Sequence, residues 1–142
     1  MVTVYDVKPN DLIGKAAAKL KEMGIEKPAY LDYVKSGAGK IRKPASPDFF
    51  YHRCASLLRQ AYVNESVGVN SLKTHYGGRK KRGVKRERQA DAAGGIIRRG
   101  FMALEKVGLI EKKKVGRGIT GKGKKLLDSI AKEIKAGEKA SS

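Results

Sequence analysis

The 142-residue sequence predicts a mainly α fold: a helical bundle around a central amphipathic helix, with a winged helix-turn-helix core and a small β-hairpin wing. Three observations carry this prediction. Apolar residues recur at helical spacing in four separate segments. One of those stripes is wide enough to be enclosed on several sides. The stretch "LEKVGLIEKKKVGRGITGKG" then reads as helix end, strand, basic turn, strand and helix start, the order of a winged helix. The length suits one domain with a modest core, so residues 1–142 are taken as a single unit.

The first segment, Pro9 to Met23, carries Leu12, Ile13, Ala16, Ala17, Leu20 and Met23 at i, i+3/i+4 spacing, with Gly24 as a stop. "PAYLDYVKSG" suggests a short helix that turns Tyr30, Leu31 and Val34 inward and ends at Gly37. Residues 1–36 thus form supporting helices. "GAGKIRKPASP" is a loop by its Gly and Pro content. Ser46 is a good N-cap and Pro47 suits the first helical position. Phe50, Cys54, Leu57, Leu58 and Ala61 then share one face, and Tyr51, Ala55 and Tyr62 widen it. This is the central helix, and Arg53, Ser56, Arg59 and Gln60 are left for its polar side. A short helix starts near Asn70. Residues 75–88 follow as a basic loop. Another helix begins at Gln89, with Ala93, Ile96, Ile97, Gly100, Leu104 and Val107 on one face. Gly100 costs about 1 kcal/mol there relative to Ala, which is tolerable where two helices approach closely. Residues 109–120 form the hairpin, with strands near Leu109–Lys113 and Ile119–Thr120 turning at Gly116–Gly118. Thr120 caps a last helix of about Lys122–Lys135, which buries Leu126, Leu127, Ile130 and Ile134. Residues 137–142 are expected to fray.

Charge narrows the function. The chain has 32 basic and 14 acidic residues, a net charge of +18. Self-repulsion of that size points to a polyanionic partner, nucleic acid first and an anionic membrane surface second. No apolar run approaches the twenty residues of a membrane span, and "MVTVYDVKPN" has no signal-peptide pattern. Residues 1–36 hold six basic and five acidic side chains, so the charge belongs to the remainder of the chain. A single cysteine excludes an internal disulfide and fits a reducing compartment. One Cys and two scattered His give no zinc-ligand spacing, so no metal and no cofactor are expected. Cys54 and His52 lie two residues apart on a helix and point away from each other, so Cys54 reads as a packed apolar residue.

Two phosphate-loop motifs fail on context. "GAGK" at 37–40 has Val34 where the Walker pattern needs Gly, and Ile41 where it needs Ser or Thr. "GRGITG" at 116–121 matches G-x-G-x-x-G, but only one helix follows it, so no βαβ unit can form. The scattered acidic residues offer no coupled pair for catalysis.

The basic candidates fall into clusters. "HYGGRKKRGVKRER", residues 75–88, supplies Arg79, Lys80, Lys81, Arg82, Lys85, Arg86 and Arg88, with Gly77, Gly78 and Gly83 to let backbone approach a phosphate. Nucleic acid would order this loop on binding. Arg98 and Arg99 stand on the outer side of their helix. Lys112, Lys113, Lys114 and Arg117 lie on the hairpin. Lys40, Arg42 and Lys43 form a further cluster, and Arg53 and Arg59 lie on the central helix. Tyr30, Tyr33 and Tyr76 are available either for core packing or for stacking on bases. The order of elements does not by itself separate RNA from DNA. A dimeric DNA-binding winged-helix regulator would read bases from one recognition helix, and an adaptor for acidic proteins is a further alternative.

"DFFYHRCASLLRQAYV", "VGVNSLKTHYGGRKKRG", "GGIIRRGFMALEKVGLIE" and "GRGITGKGKKLLDSIA" resemble the archaeal and eukaryotic small-subunit ribosomal protein family numbered nineteen, unrelated to the bacterial family of that number. The resemblance runs from about Val4 to Ile134, and "YGGRKKRG" is its most distinctive part. It implies a non-catalytic protein of the cytoplasmic ribosome, monomeric when free. It also implies binding to ribosomal RNA in the head of the small subunit, a role in maturing that subunit, and neighbouring small-subunit proteins as partners. The family pattern matches Arg53, Arg59, Arg79, Arg98 and Arg99. It departs at Phe49, where Trp is usual, and at Gly121, where Pro is frequent.

Overall fold

The wide apolar stripe becomes the helix at the centre of the molecule. The computed structural model describes residues 1–142. It contains α1 (Pro9–Glu22), α2 (Phe49–Asn64), α3 (Val69–His75), β1 (Gly78–Arg82), β2 (Lys85–Ala90), α4 (Gly94–Val107), β3 (Ile110–Lys112), β4 (Arg117–Ile119) and α5 (Gly121–Ser141). α2 buries Phe50, Cys54, Ala55, Leu57, Leu58 and Ala61 and touches α1, α4, β4 and α5. Large side chains enclosed this way each stabilise the fold by about 1.5–3 kcal/mol. α1 contributes Leu12, Ala16, Ala17 and Leu20 to the same core, α4 contributes Ile96, Ile97, Phe101 and Leu104, and α5 contributes Leu127, Ile130, Ala131 and Ile134.

The winged-helix order is present. β3 and β4 pair antiparallel, Ile110 opposite Ile119 and Lys112 opposite Arg117. Val67, just before α3, adds a one-residue third strand: its N–H donates to the Arg117 carbonyl (2.9 Å), and the Arg117 N–H donates back (2.8 Å). The core therefore runs α2, strand residue, α3, α4, β3, β4, with α1 and α5 packed around it. Gly108 ends α4 in the left-handed region at φ +83°. Thr120 caps α5, its hydroxyl oxygen accepting from the Gly123 N–H at 3.3 Å.

Five sequence expectations need correction. The 75–88 block is not an irregular loop. β1 and β2 form a second antiparallel hairpin, with Gly78 opposite Ala90, Arg79 opposite Gln89, Lys80 opposite Arg88 and Arg82 opposite Lys85. Because residues 85–90 are taken by that ladder, α4 starts at Gly94 and not at Gln89. The 28–37 segment forms only a 3-10 turn, Ala29–Asp32. Beyond it the chain is committed to the hairpin base, where the Ser36 carbonyl accepts from the Ala93 N–H (2.8 Å) and Gly37 bridges Ala92. α2 starts at Phe49: the Ser46 hydroxyl oxygen accepts from the Asp48 N–H (3.2 Å), so Ser46 and Pro47 make the turn before the helix and Asp48 is the N-cap. The 137–142 tail does not fray as a unit. Helix continues through Ser141, in a Lys-, Ala- and Glu-rich stretch of high helix propensity.

Gly100 confirms the close approach that its position suggests. A Cβ there would lie 2.6 Å from Leu57 Cδ1 and 3.6 Å from Cys54 Sγ, both side chains being fully buried. Neither has free space to move into. Gly100→Val should therefore lower unfolding free energy by about 1–3 kcal/mol through overpacking, read as a lower urea midpoint with the m-value unchanged.

Candidate nucleic-acid interface

The connection between α3 and α4 is where this winged helix is enlarged. Seven of the 13 residues from 78 to 90 of the added hairpin are Arg or Lys, and its register decides how they meet. Lys80 stands directly opposite Arg88 and Arg82 directly opposite Lys85, with a register shift between the two pairs. Like charges in directly opposed positions destabilise a hairpin by roughly 0.2–1 kcal/mol each. The one local acid, Glu87, is drawn to Arg79 at 3.3 Å, an exposed pair of little net worth. Lys80, Lys81, Lys85, Arg86 and Arg88 are exposed and have no anionic partner. Arg82 donates to the Arg86 carbonyl at 3.4 Å. A two-stranded hairpin standing alone is marginal in water even without such repulsion.

Glycine makes the hairpin feasible. Gly83, at φ +71°, occupies the first position of the two-residue turn Gly83–Val84. A Cβ on Gly77 would sit 2.5 Å from the Ala90 carbonyl oxygen, so a side chain there would push the strands apart. These two glycines serve the hairpin's own geometry, where the sequence suggested phosphate approach. Gly78 has room for a side chain, its nearest neighbour being Lys40 Nζ at 3.7 Å from a notional Cβ.

The root of the hairpin is fastened to α2 through Arg53. The Arg53 guanidinium lies 3.8 Å from the centre of the Tyr76 ring and 5.1 Å from that of Phe49. Tyr76 caps the end of α3, directly before Gly77, and its hydroxyl hydrogen-bonds Ser56 on α2 at 2.6 Å. Burial lowers the Arg53 pKa and raises that of Tyr76. Arg53 Nη1 is buried with no hydrogen-bond partner, and the ring face takes that place. Arg53 is thus half-buried between α2 and the hairpin root, its guanidinium against Tyr76. Arg59 is half-buried, and nothing in the structure partners its buried Nε.

The other sequence-derived candidates divide in the same way. Lys40 lies against the hairpin base, Arg42 is exposed beside it, and Lys43 donates to the Asp32 carbonyl at 3.1 Å. Arg98 and Arg99 are exposed on α4, with Arg99 5.0 Å from the centre of the Tyr30 ring. Lys112, Lys113 and Lys114 are exposed on the wing, and Lys113 reaches the Glu65 carbonyl at 3.4 Å. Arg117 is withdrawn from the surface: it is bound to Glu105 at 2.7 Å, its side chain only 18% exposed, above the Phe101 ring at 5.1 Å. It braces the wing against α4. Hairpin and wing bracket the two ends of α3, whose seven residues span about 10 Å.

One cluster escaped the sequence reading. Lys122, Lys124 and Lys125 are exposed among the first five residues of α5, alongside the wing. Cations at a helix N-terminus oppose the helix dipole. Three of them with no acid was the signal available.

Cys54 is fully buried, and burial pushes its thiol up to about 12, while His52 is exposed. The thiol is protonated and enclosed, as expected of a packing residue. No three His, Cys, Asp or Glu side chains converge on a common point.

Fold and surface together define a basic, mainly α protein of the winged-helix type, with much of its charge on two protruding hairpins. Residues 3–137 match the family described as ribosomal protein S19e. Among curated relatives, small ribosomal subunit protein eS19 of Thermoplasma volcanium is 38% identical over 135 residues, covering 94% of this chain and 90% of that protein. Small ribosomal subunit protein eS19A of Saccharomyces cerevisiae is 41% identical over 133 residues, covering 92% of each chain. The chain belongs to the ribosomal protein S19e family. These matches give no support to the alternative of a DNA-binding regulator.

The stack at the hairpin root makes a charge-conserving test possible. Arg53→Lys keeps the charge but removes the planar face that lies over Tyr76. It should lower unfolding free energy by about 0.5–1 kcal/mol, because the ammonium keeps part of the cation–π attraction and loses only the stacked face, measured by urea denaturation.

Proposed function

We propose that this chain, a structural and non-enzymatic component of the small ribosomal subunit, works there by clamping ribosomal RNA with the β1–β2 hairpin. The wing and the exposed face of α4 add supporting contacts. The RNA lies in the subunit head, and the contact helps the rRNA reach its mature fold. The protein is a monomer when free, meets other small-subunit proteins once assembled, and acts in the cytoplasmic ribosome.

The observation that carries this reading is the opposed charge on the hairpin. Lys80 faces Arg88 and Arg82 faces Lys85, with nothing in the chain to neutralise them. A phosphate between the two cations of such a pair sets two attractions against their one repulsion, and Arg adds a fork of donors matched to phosphate. RNA is favoured over DNA by the distribution of the charge. It lies on two protrusions and on α4, and recognition of folded RNA proceeds by shape and backbone contacts. A DNA reader of this architecture concentrates its polar contacts on one recognition helix.

Replacing Lys80, Arg82, Lys85 and Arg88 together with Gln should separate stability from binding. Unfolding free energy should stay level or rise, by roughly 0.2–1 kcal/mol for each opposed pair relieved. The slope of log affinity against log salt, for a transcript of the small-subunit head domain, should become shallower by about 0.7–0.9 for each phosphate the variant no longer neutralises. An unchanged slope would remove the hairpin from the interface.

A further inference from the structure

Five of the six tyrosines have a visible occupation. Tyr5 and Tyr62 meet edge to face at 5.9 Å, and Tyr62 also bonds Asp128 at 3.0 Å. Tyr51 packs on Phe50, Tyr76 holds Arg53, and Tyr30 lies beneath Arg99. Tyr33 is the exception. It is 84% exposed, and its side chain has no ring, cation or hydrogen-bond partner. An aromatic ring left in water with nothing against it forgoes the apolar burial that normally fixes such a side chain.

The segment that carries Tyr33 is nevertheless firmly held. The Tyr33 N–H donates to the Tyr30 carbonyl (3.1 Å), closing the 3-10 turn. Lys43 Nζ returns to the Asp32 carbonyl at 3.1 Å, so residues 32–43 form a closed loop. Within that loop the Lys40 N–H donates to the Gly37 carbonyl (3.2 Å), and Ser36 and Gly37 are tied to Ala93 and Ala92. The loop also meets the hairpin itself: a Cβ on Gly39 would lie 3.4 Å from the Arg79 carbonyl oxygen. Lys35, Lys40 and Arg42 are exposed along it, as is Ile41. An unoccupied aromatic face thus stands on a fixed loop whose cations run on into those of the hairpin.

We propose that Tyr33 is a stacking platform for an unpaired RNA base, with Lys35, Lys40 and Arg42 holding the phosphates that flank it. The inference rests on the RNA-binding reading above and deepens it. The hairpin follows the backbone of the RNA, and the Tyr33 loop selects a place where a base is free of its helix. Proteins that bind single-stranded nucleic acid combine the same two parts, a cationic track and an aromatic face. The Tyr33 backbone is held by its turn, so only the ring, and little of the loop, has to be ordered when the base arrives.

The test compares the full-length chain with Tyr33→Ala and Tyr33→Phe, using a transcript of the small-subunit head domain and measuring affinity from low to moderate salt. Tyr33→Ala should weaken binding by about 5- to 150-fold, with the urea midpoint unchanged because the ring packs on nothing. Its salt slope should match that of the unsubstituted chain, since stacking releases no counterions. Tyr33→Phe should bind within about 2-fold of the original, because the π face is retained. Wild-type affinity in Tyr33→Ala would overturn the proposal and leave the ring as a contact for a neighbouring protein. A Phe variant as weak as the Ala variant would overturn it too, since the hydroxyl and not the ring would then carry the contact. Either result leaves the hairpin reading standing. Only an absence of salt-dependent RNA binding by the unsubstituted chain would take both down.

Discussion

The enclosure of α2 is the constraint on which the rest of the molecule depends. The helix gives up Phe50, Cys54, Leu57 and Leu58 to the interior, and α4 crosses it at Gly100, where no side chain fits. That contact sets the angle of α4, and α4 in turn supports the wing through the Glu105–Arg117 ion pair. From its other side α2 reaches the hairpin root through Arg53 and Tyr76. Both protrusions are therefore positioned by one helix; the wing also packs Ile110 and Ile119 into the core around it, whereas β1 and β2 stand outside that core.

This division separates the energy of folding from the energy of binding. Apolar contacts in the 27-residue core hold the scaffold, which can then carry arrangements that are unfavourable on their own. The β1–β2 hairpin places cations opposite cations, and the N-terminal end of α5 places three lysines against the helix dipole. Repulsion at an exposed site is softened by solvent and salt, so it does not unfold the domain. It does leave surfaces whose favourable state includes an anion. Arg53 and Arg117 show the opposite use of the same residue type, each being occupied inside the protein by a ring or a carboxylate.

How much of this could be read in advance follows from which signals are local. The helices were legible because a stripe such as Phe50, Cys54, Leu57, Leu58 and Ala61 has one physical explanation. The wing was legible because Ile110 and Ile119 are apolar residues set on either side of a Gly-rich turn. The β1–β2 hairpin was not, because a strand is recognised by alternation of apolar and polar residues, and "GRKKR" and "KRERQA" contain none. Its pairing comes from Gly83 at the turn and from the anchoring of its base to Ser36 and Gly37. The basic block could be located in the sequence, but its opposed pairs required the register. Nor could sequence separate Arg117 from Lys112–Lys114, because Glu105 becomes its partner only when the wing folds back on α4.

The central claim is that β1–β2 is a hairpin under electrostatic strain that bound RNA relieves. Amide hydrogen exchange across residues 78–90, measured for the free chain and for its complex with head-domain rRNA, reads this directly. The hairpin amides should be weakly protected in the free protein at low salt. Their protection should rise strongly on RNA binding, with α2 amides strongly protected throughout. Hairpin amides as protected as those of α2 before RNA is added, or unchanged after it, would contradict electrostatic strain relieved by RNA.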